Sequence, residues 1–126
     1  MALSNPYTSY RNTEVKTASP VKLVVLLYEG AVQNMKKGEA LLGEPDRFPD
    51  ASVHLLRAMN IVSELLGTLN PKASVELSER LSGIYSYVLD LIGKSLERRD
   101  PAPLNEAVGL MNSLGSAWRE IAGGAS

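Results

Sequence analysis

Seven prolines divide this 126-residue chain more firmly than any other feature of it. A proline inside a helix removes a backbone donor, clashes with the preceding turn and costs about 3 kcal/mol. Pro6, Pro20, Pro45, Pro49, Pro71, Pro101 and Pro103 therefore leave four long stretches free to be helical, and each stretch carries apolar residues at helical spacing. Ser19-Pro20 is a start signal, because serine caps free backbone N–H groups and proline at the first helical position loses no hydrogen bond. Val24, Leu27, Ala31, Met35 and Gly38 then line one face to about Leu42, with Val21, Val25, Tyr28 and Val32 on the face beside it.

Gly43 to Pro49 reads as a loop, with Asp50 as the cap of a second helix whose face is Leu55, Met59, Val62, Leu65 or Leu66, and Leu69. Asn70-Pro71 stops it, since the residue before proline avoids the helical region. A third helix spans about Ser74 to Arg98, with Leu77, Leu81, Ile84, Val88 and Leu91 on one face and Tyr85, Leu89, Ile92 and Leu96 beside it. Glu76/Arg80 and Asp90/Lys94 are i,i+4 pairs of the favourable order. After Asp100-Pro-Ala-Pro103 comes a fourth helix through Leu104, Met111, Leu114, Trp118 and Ile121, closed by Gly123-Gly124.

These elements predict an all-α protein, an antiparallel up-down-up-down four-helix bundle with an irregular N-terminal arm. Residues 1–19 form the arm, 20–122 one bundle domain and 123–126 a C-terminal tail. A hydrophobic fraction of 44% in a chain this short supports one core and not two.

Thirteen basic and fourteen acidic residues give a net charge of -1, too little positive field to attract nucleic acid. With no cysteine there are neither disulfides nor thiolate metal ligands, which fits a reducing compartment. The start of the chain has no basic, apolar leader and no apolar run is long enough to enter a bilayer, so a cytoplasmic protein without direct membrane insertion is expected.

Chemistry finds little to work with. His54 is the single histidine, so it has no imidazole partner for a metal and no Gly-x-Ser-x-Gly elbow to serve; a boundary histidine is the simpler reading. Glycines form no phosphate loop. Glu29 and Glu64 sit at the edges of apolar stripes, where solvated glutamates are normal, and the Glu97-Arg-Arg-Asp100 run is a solvated helix end. Neither catalysis nor a cofactor is expected. What is left over is the width of the apolar stripes and the tyrosines at 7, 10, 28 and 85. Periodicity allows two readings: ordinary core, or a groove for a partner helix.

The residues Asn5-Pro-Tyr7, Tyr10, Val15-Lys-Thr-Ala-Ser-Pro20 and Leu23-Val-Val-Leu-Leu-Tyr28-Glu-Gly30-Ala31 closely resemble the amino-terminal signature of the bacterial flagellar export chaperone family for flagellin. The likeness continues through Ala58-Met-Asn-Ile61-Val-Ser-Glu64-Leu, Leu81-Ser-Gly-Ile-Tyr85-Ser-Tyr87 and Trp118. It is weaker from Gly93 to Leu96. The resemblance implies a cytoplasmic chaperone that binds the disordered carboxy-terminal segment of flagellin, prevents premature polymerisation and accompanies it to the export apparatus. A flagellar export gate component and flagellar regulators belong to the implied partner set, and a monomer or weak homodimer is expected. On this reading Tyr28, Ala31, Leu65, Tyr85, Leu89 and Ile92, from the second faces of the first three helices, line the groove, and Tyr7 and Tyr10 of the arm cover it. The rival reading is a self-associating structural or regulatory bundle that buries the same surplus apolar surface against a second copy.

Overall fold

A computed structural model describes residues 19–124, and residues 1–18 of the arm, Tyr7 and Tyr10 among them, lie outside the described residues. Four long helices account for nearly all of it: α1 (Pro20–Leu42), α2 (Phe48–Gly67), α3 (Val75–Arg98) and α4 (Ala102–Gly124), with one 3-10 turn at Pro45–Arg47 and no strand among the described residues. At 1.5 Å per residue α1 is about 35 Å long.

The helix ends follow from single side chains. Ser19 is extended and its Oγ accepts the Lys22 N–H at 3.2 Å, while Pro20 opens α1. Ser74 does the same for α3, accepting from the Leu77 N–H at 3.1 Å. A cap of this kind contributes about 1 kcal/mol. Around Pro71, Asn70 closes the turn by accepting the Lys72 N–H on Oδ1 and the Ala73 N–H on its carbonyl.

Three ends differ from expectation. Asp50 does not cap α2: the helix begins at Phe48 because Pro49 fits its first turn, where no backbone donor is needed. Asp50 instead lies inside that turn, 2.7 Å from the Arg47 guanidinium and favourably placed for the helix dipole. Pro103 likewise falls inside α4, whose start is set by Asp100 Oδ1 accepting the Ala102 N–H at 3.0 Å. Gly123 and Gly124 remain helical, since neither adopts the positive φ by which glycine ends a helix. The residue that does adopt it is Arg99, at φ 52° behind α3, with its guanidinium 4.0 Å from the centre of the Phe48 ring. That cation–π contact joins the end of α3 to the start of α2 and offsets the strain of a non-glycine residue in the left-handed region. The expected pairs Glu76/Arg80 and Asp90/Lys94 form at 2.7 and 3.1 Å.

Helices α1 and α3 each pack against both α2 and α4, so the four close into a ring around one core. Each helix must therefore face two neighbours and the centre, which is why the stripes are wide. Leu27, Ala31 and Met35 of α1 meet Leu55, Ala58 and Val62 of α2, Leu81, Val88 and Ile92 of α3 and Leu104, Ala107 and Met111 of α4. The first two turns of α1 behave differently: Val21, Leu23, Val24, Val25 and Leu26 all stay half-buried, and the helix goes fully under only from Leu27.

Helices α1 and α2 approach each other closely at Gly38. A methyl group there would collide with Cγ and Cδ2 of Leu55, itself fully buried, and would lie 3.5 Å from the Ala51 carbonyl. Gly38→Ala gains about 1 kcal/mol of helix propensity but overpacks a rigid site, which costs about 1–3 kcal/mol. The expected outcome is a lower urea midpoint with an unchanged slope.

Candidate functional site

The ring of helices leaves an apolar hollow among the described residues, at the end of the bundle where α1 begins. It has a volume of about 270 Å³ and is walled by Pro20, Leu23 and Val24 of α1, Leu69 after α2, Ala73 in the turn, Leu77 and Leu81 of α3, and Trp118 of α4, with Tyr85 at its inner side. The polar groups at its edge come from Thr68, Asn70, Ser74 and Ser78. Leu77 is 51% exposed although it lies on the apolar face of α3, because none of the described helices covers the first turn of α3 on that side. An apolar hollow with a thin polar rim suits a large hydrophobic side chain brought by another segment.

Behind the hollow the core contains its main polar contact. Tyr28 of α1 and Tyr85 of α3, each 1% exposed, meet with their hydroxyls 2.5 Å apart and their rings tilted at 59°. Burial pushes the Tyr28 phenol up, against hydrogen bonds from Tyr85 and Trp118 that hold it down. Tyr85 is raised further, by burial first and then by its bond to Tyr28. Both stay protonated across the ordinary pH range, so the pair is a neutral hydrogen bond in an apolar surround. It is no acid–base device.

The expected groove residues divide clearly. Tyr28, Ala31, Leu65, Tyr85 and Ile92 all belong to the buried core, and Leu89 is half-buried against it. Tyr85 alone of the six borders the end hollow. Leu23, Val24, Leu69, Leu77 and Trp118 do border it, and four of them, all but Leu23, lie on the apolar faces that periodicity marks. The available signal is the stretch Leu23 to Leu27, which is apolar around the whole circumference of a helix that has neighbours on only part of it.

A shallower depression between α1 and α4 is bordered by Tyr28, Val32, Met111 and Gly115, with Gln33 and Asn112 at its rim and the Glu29 and Arg119 side chains 4.0 Å apart across it. Glu29 is a half-exposed partner of arginine, as its stripe-edge position suggested. His54 sits at the α1/α2 boundary. Asn34 donates from Nδ2 to the Gly30 carbonyl at 2.9 Å, so its Oδ1 accepts, and the His54 Nδ1 at 3.1 Å must carry the proton. No group of three or more His, Asp or Glu residues that could hold a metal occurs among the described residues, and no described helix is long and apolar enough to cross a membrane.

Comparison with known proteins gives a consistent result. The family of the flagellar protein FliS matches residues 3–125. The flagellar secretion chaperone FliS of Bacillus subtilis is 31% identical over 120 residues, covering 95% of this chain and 88% of its own. The flagellar secretion chaperone FliS of Salmonella typhimurium is 27% identical over 113 residues, covering 89% and 83%. That of Vibrio cholerae is 24% identical over 110 residues, covering 87% and 80%.

Two measurements test this geometry. Tyr28→Phe and Tyr85→Phe each strand one buried phenol and should lower stability by about 1–3 kcal/mol. The double variant strands none and should lose clearly less than the sum in a denaturant-based double-mutant cycle. His54 is lowered from its ordinary 6.5 by burial, then by the charges of Arg57 and Lys37, against a smaller opposing effect of Asp50. A base with a depressed folded pKa binds fewer protons folded than unfolded in the window just below 6.5, so its stabilisation is complete above 6.5 and is lost as pH falls through that window. The single histidine signal in a proton NMR titration should have its midpoint below 6.5.

Proposed function

The chain belongs to the FliS family, and from that premise we propose that it is a flagellar secretion chaperone, a cytoplasmic holder of flagellin rather than an enzyme. Its relatives bear the name of flagellar secretion chaperone across nearly the whole of this chain. The observation that carries the reading at the level of residues is the apolar hollow at the start of α1, in a protein whose described residues gather no set of three or more metal-ligating side chains.

The client is the disordered carboxy-terminal segment of flagellin. It orders as it wraps the bundle, so part of the interaction energy is spent on ordering and the rest must come from a few apolar anchors. Leu23, Leu69, Leu77 and Trp118 receive the first anchor, with Tyr85 as the floor. Tyr28, Ala31, Leu65 and Ile92 form the layer behind that floor and Leu89 a half-buried flank. Tyr7 and Tyr10 of the arm act as a displaceable cover, and Ser19, where the arm joins, adjoins the Pro20 wall of the hollow. Holding this segment keeps flagellin from polymerising before it reaches an export gate component, and flagellar regulators are further partners.

The helices run up-down-up-down. Supporting this direction, the hollow brings together the start of α1, the residues just after α2, the start of α3 and the last third of α4. Phe48 and Arg99 likewise bring the start of α2 to the end of α3. Residues 1–19 serve as the arm, 20–122 as the single domain and 123–126 as its tail.

Self-association is the second reading, favoured by Val53 and Leu56, which lie one turn apart on α2 and are 47% and 53% exposed. Light scattering at several concentrations separates the two. A chaperone gives a one-to-one complex with a flagellin carboxy-terminal peptide, whereas a self-assembling bundle stays oligomeric and ignores it. In calorimetry Leu77→Asp should weaken peptide binding by roughly tenfold or more, as truncating a central anchor does. Leu56→Asp, equally exposed but outside the hollow, should change it by less than about twofold. Equal effects of the two variants would place the anchor site elsewhere.

A further inference from the structure

Of the polar side chains at the edge of the end hollow, Thr68, Asn70 and Ser74 are already committed to their own backbone. The Thr68 hydroxyl donates to the Leu65 carbonyl at 2.6 Å, Asn70 Oδ1 accepts the Lys72 N–H at 3.0 Å, and Ser74 Oγ accepts the Leu77 N–H at 3.1 Å. Ser78 differs from them. Its backbone N–H goes to the Ser74 carbonyl at 3.1 Å, but its Oγ makes no hydrogen bond within the described residues, although the residue is only 9% exposed. It shares a face of α3 with Ser74, Leu81 and Tyr85, one turn inside the rim and about 10 Å short of Tyr85 along the helix axis. A hydroxyl so placed costs free energy until something pairs with it. Ser95, further along the same helix, shows the contrast. Its Oγ also has no partner among the described residues, but it is sealed in the core at 0% exposure, whereas Ser78 faces a space that another side chain can enter.

We propose that Ser78 is the specificity-determining residue of the end hollow, and that the side chain it selects is long and neutral, with an apolar stem and an amide end, as in glutamine. The proposal rests on the reading of the hollow as the client's anchor site. The apolar walls, Leu23, Leu69 and Leu77 among them, suit the methylenes of such a stem, so the anchor is apolar over most of its length. No charged residue of the described chain lines the hollow, so a carboxylate or ammonium would lose its water there without gaining an opposite charge. A purely hydrocarbon side chain would fill the space and leave the Ser78 hydroxyl unpaired. An amide avoids both costs, because its oxygen accepts from that hydroxyl while its stem carries it past the rim. One polar group in an apolar wall thus discriminates between occupants of similar size.

The test uses the full chain and a synthetic peptide of the carboxy-terminal segment of flagellin from the same source. An alanine scan of the peptide in calorimetry finds the anchor, the position whose loss adds nothing further to Leu77→Asp, and the residue there should be a glutamine. Ser78→Ala keeps the helix, because alanine is the better helix former, and should weaken the parent peptide by roughly two- to tenfold, the loss of one neutral hydrogen bond. A peptide with methionine at the anchor, similar to glutamine in length, should reverse the order and bind Ser78→Ala more tightly than the unsubstituted chain. Ser95→Ala is the control: it deletes an unpaired hydroxyl away from the hollow and should leave the affinity for both peptides unchanged. The proposal is overturned if the anchor is a hydrocarbon or charged side chain, or if Ser78→Ala ranks the two peptides as the unsubstituted chain does. Should the peptide fail to bind, or bind regardless of Leu77→Asp, the client reading of the hollow fails by itself. Propionamide, the glutamine side chain as a free molecule, then still decides the role of Ser78. Saturable NMR shifts of the Leu77 and Leu81 methyl groups that vanish in Ser78→Ala support it, and equal shifts in both chains, or none in either, overturn it.

Discussion

Two phenols meeting inside a hydrocarbon core determine how the rest of this bundle is arranged. An isolated tyrosine hydroxyl at that depth would cost about 1–3 kcal/mol, so Tyr28 and Tyr85 can both be buried only in a packing that brings their oxygens together. That requirement fixes α1 and α3 relative to each other across the ring, although their main packing surfaces face α2 and α4. Apolar residues would tolerate small rotations of either helix about its axis. The hydrogen bond does not, because its strength falls steeply with distance and angle.

The ends of the bundle are held by different means. At one end Arg99 lies over Phe48 and Asp50 reaches back to Arg47, so charged and aromatic groups close the connections on either side of α2 and α3. At the other end the Asn70 turn leaves Leu77 and the first turns of α1 incompletely covered. The asymmetry matters for function. A bundle closed at both ends offers a smooth polar surface, whereas one open at an end keeps apolar walls available to another segment without unfolding.

This division of labour fits a secretion chaperone. Such a protein needs a core stable enough to survive the loss of apolar cover at one site, and walls rigid enough that binding does not have to order them. The buried tyrosine pair belongs to the core, and of its two members Tyr85 also borders the hollow.

Much of the fold was legible in the sequence because its signals are local. Pro20, Pro71 and the Pro101/Pro103 pair limited the helices, Ser19 and Ser74 capped them, and the 3.6-residue period of Leu27, Ala31 and Met35 marked an inward face. Family membership was legible too, in the run from Asn5 to Ala31 and its continuation. The candidate site was not. Periodicity counts which faces are apolar, but it cannot tell which face a neighbouring helix will cover, so Ala31, Leu65 and Ile92 were expected in a groove and lie in the core, while Leu77 was expected in the core and borders the hollow. Only the closure of four helices into a ring decides that, because coverage depends on residues far apart in the chain: the residues just after α2 and the side chain of Trp118 border the hollow together with Leu77, which stays 51% exposed because none of the described helices lies over the start of α3.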